Sequence, residues 1–327
     1  MVQFGTFIPQ GWRLDLVGIK GAAEQWATIE RVAKKLETIG YDSLWLYDHF
    51  HTVPKTKIEP TFECWTTMAA IAQATSRVRL GQLVTCSLYR NPAYLAKIAS
   101  CVDVISGGRV DVGIGAGWKE DEFAAYGYDF PPIRERLDRM ADTARILKAM
   151  FTEERATVAG KHFSIEGVVN EPKPVQTPHP PIWIGTQGEK VGLRMVAELA
   201  DGWNHNRDVE SFFKKRDILR GHCDKIGRDP ASVRISAERT CAIFESEAER
   251  NAYIERWWPN ANREKVLAHL ESNTVIGTVE QVADQLRPYV EGGAELVIVW
   301  FQDLAATGSG DSMAERFMRD VAPRLRG

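Results

Sequence analysis

A chain of 327 residues, 44% hydrophobic and 26% charged, is long enough for one large domain or two ordinary ones and apolar enough to bury a full core. Its formal net charge of −3 argues against nucleic-acid or anionic-membrane partners, both of which require a basic surface. No stretch reaches the ~18 apolar residues of a membrane span, residues 1–9 lack the basic start of a targeting signal, and five dispersed cysteines without a CxxC pair fit reduced thiols in a cytoplasmic protein.

In chain order, residues 2–8 are an apolar run closed by Pro9 and Gly11, and read as a strand. Residues 24–38 carry Trp26, Ile29, Val32, Ala33 and Leu36 three and four apart, the pattern of an amphipathic helix, which Gly40 stops. A second strand (43–47), a second helix (62–74) and a third strand (78–85) follow. Pro92 opens the third helix, where its missing N–H costs no hydrogen bond. Gly107-Gly108 then turn the chain into a fourth strand (110–114), and a long helix spans 133–150.

The rhythm breaks at 152–181. Pro172, Pro174, Pro178, Pro180 and Pro181 make this stretch too proline-rich for a helix. It reads as an insertion near residues 152–181, expected to run over the mouth of the fold as a lid or wall, since long loops are often functional. Strands five (181–185), six (202–204), seven (233–243) and eight (295–301) alternate with helices at 190–199, 209–226, 248–271 (interrupted by Pro259), 279–291 and 312–325.

Apolar strands alternating with helices imply a parallel sheet covered on both faces. Eight such units favour an α/β fold closed as a (β/α)8 TIM barrel, a single domain over residues 1–327. No GxGxxG follows the first strand, which disfavours an open dinucleotide-binding sheet. There are no internal repeats.

In such a barrel the chemistry gathers at the carboxyl ends of the strands. Strand two ends in Asp48-His49-Phe50-His51, a carboxylate and an imidazole that can position a proton donor near neutral pH. The plainer reading is a helix cap and a surface histidine. His49 and His51 lack a third spaced ligand, so no metal is expected. Strand three ends Gly81-Gln82-Leu83-Val84-Thr85-Cys86 before Arg90-Asn91-Pro92, which alone reads as a core strand and a helix entry. Strand four ends Gly113-Ile114-Gly115-Ala116-Gly117-Trp118, whose small residues leave room for a flat ring against the backbone, or serve tight packing. Trp65 and Trp118 either wall an aromatic substrate pocket or belong to the core. Strand five runs through Gly185-Thr186-Gln187-Gly188-Glu189-Lys190 into a helix, a loop that offers free amides and a positive dipole end to phosphate, with charge from Lys190 and Arg194.

Taken together with Phe4-Gly5-Thr6-Phe7-Ile8-Pro9, Ser106-Gly107-Gly108-Arg109, Pro181-Ile182-Trp183-Ile184-Gly185, Ala200-Asp201-Gly202-Trp203 and Ile276-Gly277-Thr278, these segments resemble the luciferase-like flavin and deazaflavin oxidoreductases along nearly the whole chain. Asp48-His49-Phe50-His51 resembles the coenzyme F420-dependent branch. The resemblance implies that His49 lies against the deazaflavin and takes part in hydride transfer or substrate polarisation, and that Asp48 contacts the cofactor. It implies a non-proline cis peptide at Leu83-Val84 that buttresses the ring, and cofactor contacts from Thr85, Gly115 and Gly117. The loop with Gly185, Thr186, Gln187, Gly188 and Lys190 would hold the cofactor phosphate. Relatives commonly pair as homodimers, although nothing in the sequence selects an oligomeric state.

One departure matters. Where sugar-phosphate dehydrogenases of this branch carry a glutamate acid, this chain has Trp118, and Glu120 and Glu122 are out of register. Glucose-6-phosphate oxidation therefore does not transfer, and Glu171-Pro172-Lys173 resembles a little-characterised group of F420-dependent oxidoreductases instead. The expected activity is hydride transfer between F420 and a small organic substrate. An FMN-dependent luciferase-like monooxygenase and a non-catalytic cofactor-binding protein are the alternatives.

Overall fold

The computed structural model describes residues 1–326. Eight parallel strands close on themselves: β1 (Gln3–Phe7), β2 (Ser43–Leu46), β3 (Arg79–Gln82), β4 (Val110–Gly115), β5 (Ile182–Gly185), β6 (Gly202–His205), β7 (Arg234–Ile243) and β8 (Leu296–Trp300). Each pairs with the next in parallel, and β8 returns to β1 with Leu296 opposite Gln3. This is the expected TIM barrel. The strands are buried on both faces, which is why β8 reads Leu-Val-Ile-Val-Trp without alternation.

Ten helices used below follow in chain order: α1 (Ala22–Thr38), α2 (Cys64–Ala74), α3 (Pro92–Ser106), α4 (Glu120–Tyr126), α5 (Ile133–Thr152), α6 (Gly192–Leu199), α7 (Val209–Lys225), α8 (Glu247–Trp257), α9 (Arg263–Asn273) and α10 (Val279–Glu291). The end signals of α3 act as expected. Asn91 accepts the amides of Ala93 and Tyr94, Pro92 fills the first turn, and Gly107 closes the helix in the left-handed region at φ 67°. The helix foreseen over 248–271 is two helices, α8 and α9, parted around Pro259. No helix among the described residues is long and apolar enough to cross a membrane.

The barrel interior is filled from below. Trp45 of β2 and Trp183 of β5 meet edge to face at 6.2 Å. Their strands are not neighbours, so the rings meet across the barrel axis. Glycines on flanking strands make room: a Cβ on Gly81 would lie 2.5 Å from the Trp45 ring, and one on Gly202 2.2 Å from the Trp183 ring. A cavity can therefore open only toward the carboxyl ends.

Two expectations are corrected. The third strand is split: Arg79–Gln82 and the two-residue strand Thr85–Cys86 flank a cis peptide between Leu83 and Val84, the position that the resemblance implied. The 152–181 insertion does not cross the mouth. It forms an antiparallel hairpin (Ala156–Val158 with Ile165–Val168) and then runs along the amino ends of the strands. There Gln176 donates to the Val110 carbonyl and to Asp103 and accepts from Arg79, while Asn170 donates to Ser100. The reason is geometric: α5 carries the chain from the carboxyl face of β4 to the opposite face, so whatever joins α5 to β5 lies there. The mouth is built instead by segments that leave strand ends, including 116–132 with α4 and 244–278 with α8 and α9.

Arg109 pins this scaffold. Its buried guanidinium donates to the carbonyls of Ala72, Thr75, Val78 and Ser106, joining the ends of α2 and α3 to the entry of β3. Arg109→Met would leave those acceptors without a donor, and each buried acceptor left unmade costs about 1–3 kcal/mol. Urea denaturation should show a loss of at least about 3 kcal/mol for this variant, and a loss below about 1 kcal/mol would refute the role of Arg109 as a pin.

Candidate active site

Asp48 and His49 leave β2 in different directions, and each has its own partner. Asp48 Oδ2 and Oδ1 take the fork of Arg90 at 2.7 and 3.0 Å, and Oδ2 also accepts the Cys86 amide at 2.9 Å. Asp48 lines the cleft, but its lone pairs are spent on bracing the segment after Thr85–Cys86. Arg90 is tied a second time, to Glu63 at 2.6 Å, and Glu63 caps α2.

His49 Nδ1 lies 2.7 Å from Oε2 of Glu122, a fully buried residue of α4. Glu122 Oε1 accepts the amides of Phe50 and His51 at 3.0 and 2.9 Å, and Tyr89 donates its hydroxyl to Oε2 at 3.1 Å. Burial pushes this carboxyl up, but the His49 contact and the two amides outweigh it, so Glu122 titrates below the usual glutamate range. An ionised acceptor on Nδ1 requires the hydrogen to sit there, which leaves Nε2 for a ligand. Trp12 stacks parallel to the imidazole at 4.3 Å and 1°, and Trp118 meets it edge-on at 5.6 Å. Glu122 is thus brought to His49 despite being out of register with the glutamate of related dehydrogenases. In sequence it looked like one more acid in the Glu120-Asp121-Glu122 first turn of a helix.

The imidazole borders a cleft of ≈ 470 Å³ at the carboxyl ends of the strands. A second cleft of ≈ 780 Å³ continues from it toward α6, and the two share Val84, Gly117, Trp118, Gly185, Thr186 and Gln187 as lining. They form one trough. Leu83 and Val84 lie under its inner part. Gly113 and Gly115, expected to admit a flat ring directly, and Gly185, expected in the phosphate loop, have a different task. A Cβ on Gly115 would come 2.3 Å from Val84 Cγ2, one on Gly185 2.9 Å from Val84 Cγ1, and one on Gly113 1.9 Å from the Gln82 carbonyl. They make room for the Leu83–Val84 segment, which then offers its own surface to the trough.

At the outer part, Gly115, Gly188 and Lys190 join the lining. Helix α6 begins at Gly192, two residues later than expected, and its cap residue Val191 supplies no side-chain hydrogen bond. Helices α2, α3, α7 and α10 are side-chain capped, by Glu63, Asn91, Asp208 and Thr278, whereas α1, α4 and α5 start without a side-chain cap as α6 does. The Leu193 amide in the first turn of α6 is taken by the Gly188 carbonyl at 2.8 Å, and no side chain caps the turn.

Two expected site residues lie elsewhere. Trp65 is buried behind the trough between α2 and α3 and donates its indole N–H to Thr85 Oγ1 at 2.9 Å. Thr85 is fully buried by this contact. Neither reaches the trough; both prop the Leu83–Val84 segment from outside, because the side chain of a strand residue that faces a helix cannot also face the mouth. Sequence reasoning missed Trp12, Arg13, Tyr47, Asn204 and Glu238, which also line the inner cleft. They come from the loop after β1, the ends of β2 and β6 and the middle of β7, where no local motif marks them. No cluster of three or more His, Cys, Asp or Glu side chains able to hold a metal occurs among the described residues.

Comparison with known proteins gives the family and the fold. Residues 2–296 match the luciferase-like monooxygenase family. An uncharacterized protein of Mycobacterium tuberculosis is 29% identical over 204 residues, covering 58% of this chain and 71% of its own. The F420-dependent glucose-6-phosphate dehydrogenase of Amycolatopsis mediterranei is 24% identical over 345 residues, covering 95% and 98%. Among solved structures, an F420-dependent secondary alcohol dehydrogenase in complex with an F420-acetone adduct superimposes with a TM-score of 0.80 at 18% identity, covering 100% of this chain and 99% of its own. With its barrel, its trough at the strand ends and a match spanning most of its length, the chain belongs to the luciferase-like monooxygenase family.

Proposed function

We propose that the chain is a coenzyme F420-dependent oxidoreductase that transfers hydride between the deazaflavin and a small organic substrate. The observation that carries this reading is His49, fixed by Glu122 through Nδ1 and flanked by Trp12 and Trp118, beside the Leu83–Val84 segment. F420-dependent relatives support it.

The trough fits the cofactor. Its inner part has a narrow apolar base in Leu83 and Val84, and its outer part ends at the uncapped start of α6 beside Lys190. Leu83, Val84 and Gly117 would border the ring, with Gly115 making room for Val84, and Thr186, Gln187, Gly188 and Lys190 would hold the phosphate. A deazaflavin has carbon where flavin has its reactive nitrogen, so it supplies hydride and not single electrons. The chain's part is positioning and proton handling. His49 Nε2 donates a hydrogen bond to, or takes a proton from, the substrate oxygen, with Glu122 holding the imidazole in one orientation through Nδ1. Trp118, 63% exposed, is the wall that a substrate would cover.

The family's monooxygenases support an FMN-dependent second reading, and one titration separates the two. Purified protein should quench or shift F420 fluorescence with a micromolar Kd and bind FMN at least about tenfold more weakly. Tight FMN binding without F420 binding would overturn the proposal. In a screen of carbonyl and activated-alkene acceptors against reduced F420, His49→Ala should slow turnover by about 10²–10⁴-fold while F420 affinity holds.

Glu122 adds a pH signature. Its folded value lies below the ordinary 4.5, so at intermediate pH the unfolded chain binds a proton that the native chain refuses, and stability rises with pH. Its contribution is complete above the ordinary value and is lost as pH falls through the folded one. Wild type should exceed Glu122→Gln by about 1–3 kcal/mol in urea denaturation at pH 7, with the gap closing in acid. A gap independent of pH would contradict the ionised state of Glu122.

A further inference from the structure

We propose that the ligand sharing the trough with the cofactor is an organic oxyanion, a carboxylate or a phosphate ester, received by Arg13 in the inner cleft and Arg207 at its rim. This rests on the reading of the trough as a cofactor and substrate site.

Among the described residues Arg13 and Arg239 are the sheltered arginines without an ion pair or a side-chain hydrogen bond, and of the two only Arg13 lines the trough. Arg79 is paired with Asp111, Arg90 with Asp48, and Arg316 with Glu249 and Asp311, while Arg109 is spent on carbonyls. Arg13 is half-buried, lines the inner cleft, and has neither an ion pair nor a hydrogen bond among the described residues. Its guanidinium carbon sits 4.4 Å from the centre of the Trp300 ring, 5.1 Å from Tyr47 and 5.3 Å from Trp12. Ring contacts satisfy the face of a guanidinium; its five N–H donors lie along the edge and still need acceptors.

The surroundings repeat the same demand. Tyr47 Oη and Trp12 Nε1 are buried without a hydrogen-bond partner, and both residues line this cleft. Two acidic residues share the lining. Asp48 is neutralised by Arg90. Glu238 accepts from Asn204 at 3.2 Å, and its burial pushes the carboxyl up although the charge of Arg13 pulls it down, so Glu238 is at most a partial counter-charge for Arg13. Arg207 is exposed at the rim and also has no ion pair among the described residues. The cleft therefore holds a surplus of donors and positive charge. A neutral alcohol or ketone would desolvate Arg13 without satisfying it, whereas an oxyanion supplies charge-assisted acceptors that match a guanidinium edge.

The test uses F420-loaded protein and three probes of one shape: benzoate, phenyl phosphate and the neutral benzamide, with affinities read by saturation-transfer NMR. At least one anion should bind about tenfold or more tightly than benzamide, and the tighter of the two tells carboxylate from phosphate. Arg13→Gln should erase the preference, Arg13→Lys should keep part of it, and neither should change F420 affinity. Equal binding of benzamide and both anions overturns the proposal. So does an Arg13→Gln variant that weakens F420 and leaves the anions unaffected, which would assign Arg13 to the cofactor. Failure of wild type to bind F420 is a failure of the functional reading instead. The same titration on cofactor-free protein then decides the oxyanion site alone, by whether an anion preference exists and depends on Arg13.

Discussion

One buried carboxylate holds the mouth of this barrel together. Glu122 comes from α4, a short helix in the loop after β4, and receives the His49 imidazole and the Phe50 and His51 amides from the loop after β2, with the Tyr89 hydroxyl from the segment after Thr85–Cys86. A carboxylate taken out of water is costly unless its lone pairs are filled, and four donors fill these. The constraint runs both ways. The donors keep Glu122 charged, and the charge keeps His49 from turning, because a rotated ring would leave the carboxylate short of a partner.

The Asp48–Arg90 fork is a second clamp on the same loop, made to the segment after Thr85–Cys86. Two adjacent residues thus anchor the end of β2 to two neighbouring segments. The rest of the fold serves this arrangement. Trp45 and Trp183 close the barrel from below, and Gly113, Gly115 and Gly185 let Val84 press close to β4 and β5. Leu83 and Val84 can then border the trough while His49 stands over one side and the start of α6 closes the outer end.

The barrel itself was legible because its signals are local. Apolar runs, helical spacing, Asn91-Pro92 at a helix start and Gly107 at its end each act within a few residues. His49, the Leu83–Val84 peptide and the 185–190 loop were legible through motif order. What escaped was direction and distance. The prolines in 152–181 marked a loop, but the handing of the chain from face to face decides where a loop lies, and that placed it at the amino ends. Trp65 sits one helix away from the cleft, since its partner is Thr85 rather than a ligand. Glu122 was hidden because its role depends on a contact 73 residues away in sequence. Arg13, Tyr47 and Glu238 meet only through barrel closure.

Membership of the luciferase-like family sets the architecture, and the trough's own residues set what enters it. Trp118 and Arg13 mark this chain's mouth: one is a largely exposed indole beside His49, the other a cation without an ion pair or hydrogen bond among the described residues. The measurement that bears most directly on the whole account is a crystal structure of the protein grown with F420. The deazaflavin ring should lie against Leu83 and Val84 and the phosphate at the amino end of α6, with His49 still bonded to Glu122 through Nδ1 and its Nε2 turned to the ring side. A cofactor bound outside the trough, or a His49 that has left Glu122, would contradict it.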